Sequence, residues 1–202
     1  LRIASKLGLH VLDSGAIYRL AALCAMGQKV DLNNNAEVLQ ALAHFNIRFE
    51  IGDELCIPFL DEVDVSSEIR QETTGEAASI IARYADVRSV LLSHQHRFFQ
   101  APGLVADGRD MGTVVFPDAR FKFYLYASAE IRAQRRYNQL ISMGIPASID
   151  ALQLEITERD ERDQNRVESP LVPAVDAIVV DSSLLDLEQV YDLVMSHILE
   201  SA

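Results

Sequence analysis

Cysteine is scarce in this chain, with Cys24 and Cys56 the two among 202 residues. Two are too few for a disulfide framework or a cysteine zinc site, and both sit among apolar neighbours, so a reducing, cytoplasmic setting is expected. Long hydrophobic runs are missing too: no stretch approaches about 18 uncharged apolar residues, which excludes a membrane-spanning helix. Leu1-Arg2-Ile3-Ala4-Ser5-Lys6 shows no charged-then-apolar pattern of a signal peptide. Metal and triad signatures are absent as well. His94 and His96 are two apart and diverge on a helix, and His10, His44 and His197 have no partners at ligand spacing. Positive charge is in deficit. Lys plus Arg number 18 against 30 Asp plus Glu, a net charge of −12, which argues against general binding to a nucleic-acid backbone.

Lysine is rarer still. Lys6, Lys29 and Lys122 are the three lysines, so fifteen of the cations are arginines. Arginine offers a rigid fork of donors that matches phosphate oxygens in pairs, which a lysine point charge cannot do. An acidic protein that concentrates its positive charge in arginine is suited to hold a small anion, and surface ion pairs are the alternative use. The rest of the composition is ordinary for a globular chain, 49% apolar and 24% charged, with length enough for one sizeable core.

Hydrophobic spacing gives the elements. Leu1 to Lys6 reads as the end of a helix stopped at Gly8, and Leu9 to Leu12 as a short strand. Asp13-Ser14-Gly15 then opens a helix whose buried stripe is Ile17, Leu20, Ala21 and Cys24. Ala36 to Ala43 is helical. Ile47, Phe49, Ile51 and Leu55, Ile57, Phe59 alternate around Gly52-Asp53 as a β-hairpin. A helix capped near Asp86 carries Val87, Val90, Leu91, His94 and Phe98 on one face. Leu104 to Ala106, Phe121 to Tyr126 and Ala177 to Val180 read as strands. Helices are expected from Ser128 to Met143, from Ser148, and from Asp186, where Gln189 completes a capping box and Leu187, Val190, Tyr191, Val194 and Ile198 form the stripe. Strands alternating with helices at both ends predict an α/β fold with a parallel sheet covered on both faces; the hairpin region looks like an insert.

Four constellations stand at positions where chemistry concentrates. Asp13-Ser14-Gly15-Ala16-Ile17-Tyr18-Arg19 runs from a strand end into a helix, where unsatisfied N–H groups favour anions and Ser14 and Arg19 add a hydroxyl and a counter-ion; a plain helix cap with a solvated arginine is the alternative. Asp107-Gly108-Arg109-Asp110-Met111-Gly112-Thr113 follows another strand, and its two glycines let backbone approach a ligand, or simply make a polar turn. In Glu158 to Arg166, the residues Arg159, Asp163 and Arg166 fall on one helical face, able to grip a phosphate and a sugar hydroxyl or to form a solvated charged surface. Arg132, Arg135 and Arg136 repel one another within a turn and a half unless an anion or acidic partner sits nearby; Glu130 alone does not answer them, and a polyphosphate would.

Together these segments resemble the bacterial cytidylate kinases, a family of nucleoside monophosphate kinases. The likeness runs along the whole chain. It rests on Leu12 to Arg19, on Val63-Asp64-Val65-Ser66-Ser67-Glu68-Ile69-Arg70, and on Ala106 to Pro117. It continues through Glu158-Arg159-Asp160-Glu161-Arg162-Asp163 and Ser169-Pro170-Leu171-Val172-Pro173-Ala174. The resemblance implies a P-loop nucleoside monophosphate kinase fold. Its parallel-sheet core would be residues 1–38 and 92–202, including a mobile lid near 132–152, with a monophosphate-binding insert over 39–91 that carries the hairpin.

By the same resemblance Ser14, Arg19 and Arg109 meet the CMP phosphate, while Ser79, Arg88 and Asp110 read the cytosine edge. Arg159 and Asp163 meet the ribose with Arg166 alongside, and Arg135 reaches the ATP phosphates. Arg109, Arg135 and Arg159 would be the catalytic arginines. Asp107 would hold magnesium through water. The implied activity is ATP-dependent phosphorylation of CMP and dCMP to the diphosphates by a cytoplasmic monomer, with no nucleic-acid polymer or membrane as partner. One departure stands out: the family opens with a strand and a Gly-x-x-x-x-Gly-Lys-[Ser/Thr] loop around the ATP phosphates, and no such loop occurs here. Omission of an N-terminal segment is the expectation, because the downstream arginine clamps make sense only with a donor phosphate. The rivals are a cytidine-nucleotide sensor without catalysis and a monophosphate kinase selecting another base.

Overall fold

The computed structural model describes residues 1–51 and 56–200, and its chain divides into two compact units. The first comprises residues 1–111 and 166–169, and the second comprises residues 112–165 together with those from 170 onward.

The first unit begins with α1 (Arg2–Leu7), which stops at Gly8 in the left-handed conformation that glycine adopts without a Cβ penalty. β1 (His10–Asp13) pairs in parallel with β5 (Leu104–Asp107), so that Asp13 and Asp107 sit opposite one another at the two strand ends. Between them come α2 (Ser14–Gly27), α3 (Asn35–Ala41), the antiparallel strands β2 (Ile47–Ile51), β3 (Cys56–Leu60) and β4 (Val63–Asp64), then α4 (Glu72–Ile81) and α5 (Ala85–His96). β2 and β3 form the expected hairpin; its Gly52-Asp53 turn and Leu55 lie outside the described residues. α2 packs on α4 and α5, and Ile17, Leu20, Ala21, Ile81, Val87 and Leu91 are fully buried there. Each such aliphatic side chain larger than alanine contributes about 1.5–3 kcal/mol by leaving water. Cys24, placed by its spacing on the same stripe, is half-buried.

α5 starts near Asp86 as expected, but without a side-chain cap. Tyr84 is its N-cap and offers no side-chain bond, while the Asp86 carboxylate instead accepts from Asn35 Nδ2 at 3.0 Å. The carboxylate thus ties α5 to α3 rather than closing its own helix.

The second unit holds β6 (Phe123–Tyr126) paired in parallel with β7 (Ile178–Asp181), the helices α6 (Ala129–Ser142) and α7 (Ile149–Asn165), and α8 (Leu187–Glu200). The parallel strands predicted from the sequence are therefore present as two separate ladders among the described residues. α6 and α7 share a small core of Ala133, Leu140 and Leu152, flanked by Tyr137, Ile149 and Ile156. The capping box at Asp186 and Gln189 forms as read, with the two backbone bonds at 2.8 and 2.9 Å. Leu187, placed on the buried stripe of α8, is 70% exposed; it is the first residue of the helix, and burial begins further along, at Val194 and Met195.

Candidate functional site

Asp13 and Ser14 stand where β1 turns into α2. The Asp13 carboxylate caps the helix by accepting from the Ala16 N–H at 2.9 Å, and this holds Ser14 in the first turn. Ser14 is buried and donates its hydroxyl to Gln95 Oε1 at 2.9 Å. Gln95 is itself fully buried on α5 and was not singled out in the sequence, because a glutamine among apolar stripe positions carries no motif. Gly108 closes the other side. A Cβ there would lie 2.9 Å from the Ser14 Cβ and 3.0 Å from Met111, so only glycine lets the loop after β5 approach the start of α2 this closely.

Arg19 lies one turn further along α2. Its guanidinium donates to the carbonyl oxygens of Ile69 (2.5 Å) and Gln71 (3.3 Å) and rests on Gly75 of α4, where a Cβ would come within 2.9 Å of Nη2. A glycine in a helix interior costs about 1 kcal/mol relative to alanine, and here the vacated space is filled by a cation.

Arg88 and Asp110 form an ion pair with side-chain exposures of 10% and 3%. The remaining Arg88 donors reach Ser169 Oγ at 3.2 Å and the Ala82 carbonyl at 3.3 Å. Its guanidinium carbon stands 5.5 Å from the centre of the Tyr18 ring. Arg166 donates to the Ser169 carbonyl at 2.5 Å, and its neighbourhood of residues 166–169 belongs to the same unit as Arg88. Arg166 thus falls just past the end of α7, and the expected helical face shared with Arg159 and Asp163 does not include it. Ser79 is half-buried on α4, and Arg109 is half-buried between Gly108 and Asp110.

Asp107 is open to water yet closely surrounded by protein mass. That surrounding raises its pKa, as does Asp13 opposite it, while Arg109 pulls the other way. The desolvation comes from bulk nearby rather than cover above, so it weighs little on stability.

In the second unit Arg159 and Asp163 approach to 3.9 Å on α7, with the carboxylate buried and the arginine side chain one-third exposed. The three arginines of α6 are each engaged within the protein, Arg132 by an acidic partner. Arg132 pairs with Asp160, Arg135 donates to the carbonyls of Ser182 (2.5 Å) and Leu185 (3.2 Å), and Arg136 donates to Gln139 at 2.9 Å.

A separate hollow of about 350 Å³ lies beside β1, between His94, Arg97 and the aromatic rings of Phe45, Phe49 and Phe98. Of the residues in the four constellations Asp13 lines it, while Ser14, Arg19, Arg88, Arg109 and Asp110 do not. Burial and the neighbouring Arg97 keep the His94 pKa below its usual value.

Guanidinium groups, a buried carboxylate and a helix start thus fall within the first unit, chemistry suited to an anion. The family profile described as cytidylate kinase matches residues 1–200. The chain is 50% identical over 199 residues to a cytidylate kinase of Shewanella loihica, covering 98% of this chain and 86% of that protein. It is 49% identical to cytidylate kinases of Shewanella sediminis (over 97% of this chain and 86% of that protein) and Aeromonas salmonicida (96% and 85%). The chain belongs to the cytidylate kinase family, a family of phosphotransferases with the P-loop nucleoside monophosphate kinase fold. Among the described residues no helix is long and apolar enough to cross a membrane.

Proposed function

We propose that this protein transfers the terminal phosphoryl group of ATP to CMP and dCMP, giving CDP and dCDP. The observation that carries this reading is the buried Arg88–Asp110 pair, set in the same unit as Ser14, Arg19 and Arg109. Cytosine differs from uracil in presenting an exocyclic amine, and a buried carboxylate supplies the acceptor that this amine needs. The acceptor phosphate is a dianion near neutral pH and already nucleophilic, so no general base is required. What remains is alignment and screening of charge between two anions, which is arginine chemistry.

Each residue has a role in that scheme. Ser14, oriented by Gln95, and Arg19, seated on Gly75, hold the CMP phosphate with Arg109. Ser79, Arg88 and Asp110 take the base. Arg159 and Asp163 take the ribose with Arg166 nearby, and Arg135 leaves its carbonyl partners to reach the ATP phosphates. Residues 39–91 serve as the monophosphate-binding insert and residues 132–152 as the lid.

The residues present fit magnesium. Asp13 and Asp107 face one another at the strand ends; the surrounding protein, and after it repulsion from Asp13, raises the Asp107 pKa, and a cation would relieve that repulsion. Among the described residues no cluster of three acidic, histidine or cysteine ligands occurs, and magnesium characteristically takes one or two carboxylates plus phosphate oxygens and water. Asp107 would hold it through water, and the ion would screen charge on the phosphates. The chain works in the cytoplasm, as a monomer.

An ADP-release assay on the intact gene product with CMP, dCMP, UMP and AMP tests this. Turnover fastest with CMP and dCMP is expected, and UMP or AMP outrunning them overturns the specificity. CMP binding without any turnover would favour the nucleotide sensor.

A further inference from the structure

Tyr18 occurs in the strand-to-helix motif, but nothing derived so far uses it. It sits one helical turn after Ser14 on α2 and is only 8% exposed. Its hydroxyl is fully buried and makes no hydrogen bond with any described residue. Arg88 stands over the ring, its guanidinium carbon 5.5 Å from the centre, and acts on the phenol electrostatically.

A buried hydroxyl without a partner is costly, and native proteins rarely keep one without cause. The surroundings show what is missing. The charged groups acting on the phenol are Arg88, Asp110 and Arg166, in that order of strength. The two cations offer only donors, and the hydroxyl makes no hydrogen bond to the Asp110 carboxylate, which Arg88 holds through one oxygen. The hydroxyl is therefore left with a proton to give and no acceptor to receive it. Burial raises its pKa to about 12, with Arg88 partly opposing the rise, so the phenol stays protonated at any working pH.

We propose that Tyr18 is a specificity residue whose hydroxyl donates to an acceptor on the cytosine ring, N3 or the carbonyl at C2, beside the amine that Asp110 takes. The proposal deepens the functional reading above and rests on it. The base is favoured over the sugar because Arg88, of the pair proposed to read the base, stands over the Tyr18 ring with its guanidinium carbon 5.5 Å from the centre. With nucleotide absent the hydroxyl is a defect. With cytosine bound the defect is filled, and the gain appears as affinity.

Tyr18→Phe removes the hydroxyl and nothing else. Calorimetric titration of the intact wild-type protein and the variant with CMP and with dCMP, together with thermal unfolding of each without nucleotide, tests the inference. Affinity for both nucleotides is expected to fall about fivefold to tenfold, the value of one hydrogen bond, while the unfolding midpoint stays level or rises. Equal affinities in wild type and variant overturn the proposal, as does a loss confined to CMP, which would put the hydroxyl on the sugar. A lowered midpoint in the variant also overturns it, by showing a structural role. Wild-type protein that binds neither CMP nor dCMP removes the functional reading itself, and the inference with it.

Discussion

Two arginine–aspartate pairs, one in each compact unit, share a buried carboxylate and differ in almost everything else. Arg88 and Asp110 are both buried and in direct contact, and the guanidinium spends its other donors on Ser169 and Ala82. Arg159 and Asp163 approach only to 3.9 Å, and the arginine is one-third exposed. The first pair is fixed by protein partners, which suits the base-reading role proposed for it, since selection depends on donors and acceptors that do not reorganise. The second is a longer contact, with its arginine more open to water. Arginine in the composition indicates neither; cover and partner decide which kind of clamp a guanidinium becomes.

Asp110→Ala is the sharpest way to break this contrast. It leaves a buried guanidinium unpaired, and a loss of about 3–5 kcal/mol of unfolding free energy in urea is expected, against a clearly smaller loss for Asp163→Ala. Equal losses would mean that the two pairs are not different in kind. The milder Asp110→Asn should relax the preference for CMP over UMP more than it weakens phosphate binding.

Gly75→Ala moves the comparison to Arg19. The added methyl meets only the guanidinium end, so the chain should fold normally and melt at the same temperature or slightly higher. The KM for CMP should nonetheless rise about tenfold, because a phosphate contact of one charged hydrogen bond is displaced. An unchanged KM would show that Arg19 can serve from another seat.

Arg135→Met probes the adjustable side of the contrast. A severalfold rise in the KM for ATP, with the KM for CMP unmoved, is expected of a residue that must exchange the Ser182 and Leu185 carbonyls for phosphate oxygens. A change in the KM for CMP alone would contradict the assignment.

The smallest effect is a pH dependence. Burial and Arg97 lower the folded-state pKa of His94, so the folded state disfavours its protonation. The stabilising contribution is complete above the ordinary value of 6.5 and is lost as pH falls through the lower folded-state value. His94→Phe should flatten the stability profile in that acidic window, and a profile identical to wild type would assign the acid sensitivity elsewhere.

Local features were the legible ones. The start of α2 at Asp13, the α1 stop at Gly8, the hairpin and the Asp186–Gln189 box depend on residues a few positions apart, and spacing alone reveals them. Arg88 and Asp110 were each named, but their pairing joins positions 22 apart in sequence and has no local signature. Gln95 was missed because its role is to meet Ser14 across 81 residues. Arg166 was misplaced for the opposite reason: helical periodicity extends naturally through Asn165, and nothing in the charged run announces where the helix ends. The α6 arginines found their partners in Asp160 and in backbone carbonyls beyond β7, distant groups that no count of nearby acids reveals.

α5 carries Arg88 and Gln95 seven positions apart, about two turns of one stiff rod. In the proposed reading one end of that rod meets the heterocycle through Arg88, and the other orients the Ser14 hydroxyl toward the phosphate. On that reading a nucleobase of the wrong outline that nudges the first end drags the second out of line. Discrimination built this way is paid in turnover as much as in occupancy: a mismatched nucleotide can sit in place and still be poorly aimed.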